Sequence, residues 1–153
     1  VADGKLVEIC PALPAIMAEI EARIADHGGA ALIIDYGDRR SLGDTFQALR
    51  AHAPESPLAH PGAADLTAHV DFEALVRAAP RLTAAPMTPQ GVFLERLGIT
   101  PRAQTLADQL SGAALSAHIA AHRRLTHPEE MGTLFKAIAF VGKGADMVPG
   151  FQP

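Results

Sequence analysis

The segment Asp65-Leu-Thr-Ala-His-Val-Asp71 gathers two carboxylates, a hydroxyl and an imidazole just ahead of an apolar pattern that starts a helix. His69 is the side-chain type suited to general-base work near neutral pH. Asp65, Thr67 and Asp71 stand with it just before a helix N-terminus, a place that favours anions and polar ligands. The structural alternative is that Asp71 caps the helix and Thr67 is an ordinary turn hydroxyl, which leaves His69 least explained. A second candidate is Asp35-Tyr36-Gly37, at the end of the apolar run Ala30-Ala-Leu-Ile-Ile34. A carboxylate at the carboxyl end of a strand in an α/β sheet points toward the crevice where such folds bind ligands. Its alternative is a strand-end aspartate followed by a tight glycine turn.

Other candidates are weaker. Gly142-Lys143-Gly144 lacks the preceding glycine and the following Ser/Thr of a phosphate loop, and no G-x-G-x-x-G occurs. His118 and His122 stand four apart on a helical pattern, with His127 nearby. No glutamate completes a metalloprotease motif and no thiolate assists, so they read as surface histidines and no metal site is expected. Ser41, Ser56, Ser111 and Ser116 have no nucleophile-elbow context. Cys10, the single cysteine, precedes a proline and reads as a small apolar residue.

The elements that must position these groups follow from periodicity and punctuation. Residues 11–27 pattern as an amphipathic helix with Ile16, Ile20 and Ile24 on one stripe, closed by Gly28-Gly29. The run at 30–34 lacks alternation, as expected of a strand buried on both faces of a parallel sheet. Residues 38–66 carry turn chemistry without sustained periodicity and are expected to form a long substrate-side loop. A helix restarts at Asp71 with Val70 and Leu75 spaced as a hydrophobic staple. Residues 81–88 read as a strand demoted to an edge or a bulge by Pro86. Short helices follow, the first stopped by Gly98, the second capped at Thr100-Pro101, the third after Ser111-Gly112. Thr126 to Glu129 has capping-box spacing, and Leu134–Val141 reads as a buried strand. The chain after Asp146 is expected to be loose.

The 153 residues are 48% hydrophobic and 20% charged, with net charge −4. That length can bury a core. The acidic balance argues against nucleic-acid binding, and no apolar run reaches the ~20 residues of a membrane span, so no membrane insertion is expected. One cysteine excludes an intramolecular disulfide and suits a reducing compartment. The opening residues contain no initiator methionine, and Leu6-Val-Glu-Ile9 already reads as strand-like, an opening expected from the interior of a longer protein.

Six strings then occur in order: Val-Glu-Ile-Cys-Pro (7–11), Leu-Ile-Ile-Asp-Tyr-Gly (32–37), Gly-Asp-Thr-Phe-Gln-Ala-Leu-Arg (43–50), Asp-Leu-Thr-Ala-His-Val-Asp-Phe (65–72), Gln-Gly-Val-Phe-Leu (90–94) and Glu-Met-Gly-Thr-Leu-Phe-Lys (130–136). Together they resemble the MidA family of S-adenosylmethionine-dependent methyltransferases, whose mitochondrial members are arginine methyltransferases that assist respiratory complex I assembly. The resemblance implies an α/β chain forming the C-terminal half of a seven-stranded Rossmann-like class I methyltransferase fold. Residues 1–145 would be the domain portion, with 38–66 its substrate-side loop and 146–153 a tail. The cofactor, S-adenosylmethionine, would be bound by residues upstream of this chain, leaving it inactive alone.

By the same resemblance, His69, Asp65 and Asp71 are the catalytic candidates, and Asp35, Tyr36, Gly37 and Thr67 would line the substrate side. The partner would be a protein substrate, a complex I subunit being the implied case. The strand at 30–35 would pair with a missing strand, or be covered by self-association. Location would be cytoplasmic in a bacterium and mitochondrial in eukaryotic relatives. The alternative reading is a non-catalytic assembly module of the same fold. A hydrolase using His69 and a serine is the third.

Overall fold

Prolines lack a backbone donor and glycines tolerate positive φ, so Pro11, Pro14 and Gly28 suit the two ends of one helix. The computed structural model describes residues 3–152, and its helix α1 spans Leu13–His27. Gly28, at φ 75°, ends it by donating its N–H to the Ile24 carbonyl at 2.9 Å. Met17 and Ile24 are buried, with Leu13 and Ile20 packed beside them. Ile16 was expected in this stripe but is 56% exposed. The stripe centres on Met17, and Ile16 lies one residue, about 100° of helical rotation, away from it.

Strand β1, Ala30–Asp38, joins a five-stranded sheet with β5 (Val70–Asp71), β6 (Leu82–Ala84), β7 (Thr88–Pro89) and β8 (Phe135–Gly142). The order is β5-β1-β8-β6, with β7 also on β8. β8 is antiparallel to β1 over Ala30–Tyr36 and antiparallel to β6 and β7. Only β1 and β5 are parallel, through Gly37↔Val70 and Asp38↔Asp71. The α/β class stands, whereas the all-parallel, doubly buried β1 does not. Ala31 and Ile33 face the core, but Leu32 and Ile34 are exposed. The continuous apolar run therefore conceals a one-sided strand.

β8 is the sheet's buried centre. On one face Ile138 and Phe140 pack with Met17, Phe72 and Leu75 beneath α1 and α2 (Phe72–Arg77). On the other, Ala137 and Ala139 meet Ala85, Phe93 and Phe151. Small residues there let α3 (Gln90–Arg96) approach closely. Burying a side chain such as Phe140 stabilises the fold by about 1.5–3 kcal/mol. Pro86 separates β6 from β7, the interruption expected from its missing donor.

Residues 38–66 are not one long loop. β2 (Gln47–Arg50), β3 (Ala53–Glu55) and β4 (Asp65–Thr67) form a separate antiparallel sheet in the order β3-β2-β4. The strand-like pattern at Leu6–Ile9 forms no regular element, and its apolar side chains are exposed. Cys10 is exposed too, not a packed apolar group.

Helices α4 (Ile99–Ala107) and α5 (Gly112–Thr126) follow. Gly98, at φ 82°, occupies the N-cap of α4. Thr100, the expected cap, instead donates to Glu95 at 2.7 Å. The His118 and His122 rings are half-buried rather than free at the surface: they bond to the Ala103 carbonyl at 2.9 Å and the Thr100 hydroxyl at 3.0 Å, tying α5 to α4. Ile119, between them in sequence, is exposed. The expected capping box at Thr126 is absent as well. Thr126 bonds back to the His122 carbonyl, and the His127 ring accepts from the Glu129 N–H at the start of a wide turn, Pro128–Gly132.

Residues 147–151 pack rather than stay loose. Phe151 is buried with its ring centroid 4.9 Å from that of Phe93, and Met147 and Val148 support it. Among the described residues no helix is long and apolar enough to cross a membrane.

Candidate functional site

The carboxyl end of β1 carries Asp35, Tyr36 and Gly37, and its pairing with β5 draws the preceding residue, His69, to the same place. The Tyr36 ring lies 6.0 Å from the His69 ring, tilted by 59°, and 5.3 Å from Phe135, edge-on at 80°. Tyr36 is thereby held between an imidazole and an aromatic wall. Gly37 permits the approach: a Cβ there would run into the Val70 backbone carbonyl. The Lys136 ammonium donates to the Gly37 carbonyl at 3.0 Å and to the Thr133 carbonyl at 2.6 Å, tying the end of β1 to the start of β8.

The remaining candidates sit in different settings. The Asp71 side chain accepts the Ala74 N–H at 2.8 Å and caps α2. Asp35 accepts the N–H of its own neighbour, Tyr36, at 2.8 Å. Asp65 is exposed on β4, opposite Leu49, and Thr67 pairs with Gln47 at the far end of the same strand. The structure thus brings Tyr36 and His69 together at Gly37, leaves Asp35 bonded to its own neighbour, and places Asp65 in the small sheet.

Two residues outside the candidate list fix His69. Its backbone N–H donates to the Thr45 hydroxyl at 2.9 Å. That hydroxyl donates to Glu8 at 2.5 Å, while the Thr45 N–H bonds the other carboxylate oxygen at 2.9 Å. The Thr45 hydroxyl bond chiefly holds the Glu8 carboxyl below its ordinary value of 4.5, against a smaller opposing effect of burial, with the Thr45 N–H adding to the lowering. Ser41 adds a bond at 3.3 Å. Glu8, Thr45 and Lys136 all lie within strings that carry the family resemblance, and that was the signal pointing to them.

The space beside Gly37 is filled by Val70 backbone, and one Asp35 carboxylate oxygen accepts the Tyr36 N–H. Among the described residues no group of three or more His, Cys, Asp or Glu side chains is arranged to hold a metal ion.

The sheet is mixed, with β8 antiparallel to β1, β6 and β7 and helices on both faces. The profile of the family described as "Putative S-adenosyl-L-methionine-dependent methyltransferase" covers residues 1–89, and the chain belongs to that family. The MidA resemblance is thereby borne out. The chain is 37% identical over 138 residues to protein arginine methyltransferase NDUFAF7, mitochondrial, of Xenopus laevis, covering 88% of this chain and 31% of that one. With the Homo sapiens counterpart it is 36% identical over 137 residues, with the same coverage.

A crystal structure from Burkholderia thailandensis superposes with a TM-score of 0.71 at 29% identity, covering 89% of this chain and 39% of that one. A second from that organism, bound to S-adenosyl-homocysteine, gives 0.70 at 29% identity, covering 89% and 38%. The chain spans about a third of the length of the curated relatives it matches.

Proposed function

We propose that the protein containing this chain transfers a methyl group from S-adenosylmethionine to an arginine guanidinium of a protein substrate. The observation that carries the reading is the convergence of Tyr36 and His69 at the carboxyl end of β1, in a chain of this family. The bound cofactor would supply an electrophilic methyl group. This chain's own part would be to position the guanidinium in line with it and to receive the proton released on transfer. His69 is the proposed base, with Asp65 and Asp71 as the other catalytic candidates. Asp35, Tyr36, Gly37 and Thr67 would line the substrate side. Carboxylates suit a guanidinium because they match its planar donors two at a time.

The cofactor site would lie on residues outside this chain, leaving the chain inactive alone. Support comes from the outer edge of β1. Among the described residues β5 pairs with it only at Gly37 and Asp38, and residues 30–36 have no strand partner on that side. A strand from the rest of the protein, or from a second copy, would pair there. The resemblance further suggests a complex I subunit as the substrate, a cytoplasmic location in bacteria and a mitochondrial one in eukaryotic relatives.

The test is calorimetric titration of S-adenosylmethionine into this chain and into the same chain extended upstream, followed by mass spectrometry for methylarginine on candidate substrates. Heat from the extended protein alone, with methylarginine formed, supports the reading. Saturable binding by this chain alone would overturn the claim that the cofactor site lies elsewhere. Cofactor binding without methylarginine on any protein would favour the non-catalytic assembly module.

A further inference from the structure

The hydrogen bonds that reach His69 enter through its backbone and end on a residue far away in the sequence. Its N–H donates to the Thr45 hydroxyl at 2.9 Å, and that hydroxyl lies 2.5 Å from one Glu8 carboxylate oxygen. The Thr45 N–H donates to the other oxygen at 2.9 Å, and the Ser41 hydroxyl adds a bond at 3.3 Å to the first. Chemistry fixes the directions. A backbone N–H can only donate and an ionised carboxylate can only accept, so the single hydroxyl proton of Thr45 goes to Glu8 and a lone pair to His69. Thr45 is buried, which shields these bonds from water.

On the other side of the same Cα, Val70 is held in register with Gly37, whose missing side chain lets the two backbones touch. With both flanking peptide groups pinned, the Cα–Cβ direction of His69 is set and the ring keeps only its two side-chain torsions. The Tyr36 ring, 6.0 Å away, bounds that range on one side. The rings of His60, His118, His122 and His127 are each bonded to a protein group. Among the described residues His69 makes its hydrogen bond through the backbone, which leaves both ring nitrogens to whatever enters the site.

We propose that Glu8 and Thr45 are positioning residues for His69, holding its backbone so that the imidazole stays beside Tyr36 with both nitrogens open to substrate, a role that rests on the methyl-transfer reading. There the imidazole takes the proton that the guanidinium nitrogen sheds as its new N–C bond forms and the sulfur recovers the electron pair of the broken S–C bond. A proton acceptor works only within hydrogen-bond reach. A small shift of the residue 69 backbone therefore lowers the rate without changing the imidazole itself. Glu8 and Thr45 touch no reacting atom and act through His69 alone.

The test uses the protein containing this chain, with its histidines isotope-labelled at Cε1 and the His69 resonance assigned by its loss in His69→Gln. Thr45→Val keeps the volume and removes the hydroxyl, whereas Thr45→Ser keeps the hydroxyl. Thr45→Val should shift the His69 resonance, and Thr45→Ser should leave it near the wild-type position. Glu8→Gln should shift it too, because an amide offers one acceptor oxygen where two donors must be met. This milder variant carries the comparison should Thr45→Val not fold. Methyl transfer is read from tritiated S-adenosylmethionine to a protein that the wild type methylates. Thr45→Val should lower kcat at least tenfold with both KM values within twofold, and Thr45→Ser should recover most of the rate. In a His69→Gln background Thr45→Val should cost less than twofold. A tenfold loss in that background would overturn the proposal, since Thr45 would then act on the fold and not through His69. An unmoved His69 resonance in Thr45→Val would overturn it as well. A shifted resonance in a protein that methylates nothing would overturn the methyl-transfer reading and uphold the positioning.

Discussion

Glu8 and Thr45, 37 positions apart, meet through two hydrogen bonds, the Thr45 hydroxyl and N–H each donating to a different oxygen of the Glu8 carboxylate. Thr45 then accepts the His69 N–H on the same hydroxyl. A segment without regular structure, residues 5–10, is in this way coupled to the backbone of His69 in the candidate site. The threonine is buried, so it is the carboxylate that anchors the path of the chain into β5.

The coupling has a pH signature. The folded-state value of Glu8 is lowered below 4.5, so its contribution is fully present above that pH. It disappears as pH falls through the lowered folded value. The melting temperature of Glu8→Gln should therefore fall below wild type at pH 7, and the gap should narrow as the pH is taken below 4.5 and through the lowered folded value. A gap that stays constant with pH would show that Glu8 acts by shape alone.

Gly37→Ala should destabilise the protein, because the added Cβ meets the Val70 carbonyl and must part β1 from β5. Overpacking of this kind costs about 1–3 kcal/mol, and each kcal/mol corresponds to roughly 2–4 °C in a chain of this size. Thermal melts followed by circular dichroism would measure it. Weakened contact between Tyr36 and His69 should appear as a changed histidine chemical shift.

The β2–β3 hairpin turns through Ala51 and His52, at φ 50° and 63°. Left-handed backbone costs an ordinary residue about 1–2 kcal/mol, and two such residues in a two-residue turn are the positions where Asn-Gly is favoured. Ala51→Asn with His52→Gly should raise the melting temperature by several degrees. A lowered value would mean that the present side chains make contacts worth more than the strain.

Phe151→Ala should cost about 3 kcal/mol, the low end for a buried phenylalanine, because the ring fills the space between Phe93 and the alanines of β8. Urea denaturation would show a lower midpoint. An unchanged midpoint would return residues 146–152 to the status of a loose tail.

Much of this molecule is written locally. The bounds of α1 follow from Pro14 and Gly28, the cap of α2 from Asp71, the break between β6 and β7 from Pro86, and the stop after α3 from Gly98. In each case the physics is a backbone property of the residue itself or a bond within a few positions. The small sheet at 47–67 was hidden because its hairpin carries Ala51-His52 where the usual turn residues would announce it.

The run Ala30–Ile34 shows what local pattern cannot decide. Its residues prescribe a strand, but which face is covered depends on packing against the rest of the fold, and α1 packs only on the face of Ala31 and Ile33. The site divides the same way. The strings holding Asp35, Tyr36 and His69 are legible in order along the chain, as are those holding Glu8 and Thr45. That Tyr36 lies tilted beside His69, that Glu8 reaches Thr45, and that Asp65 stands apart in the second sheet are matters of register and packing. Residue type supplies the chemistry each group can perform; only the tertiary fold supplies the distances at which it can act.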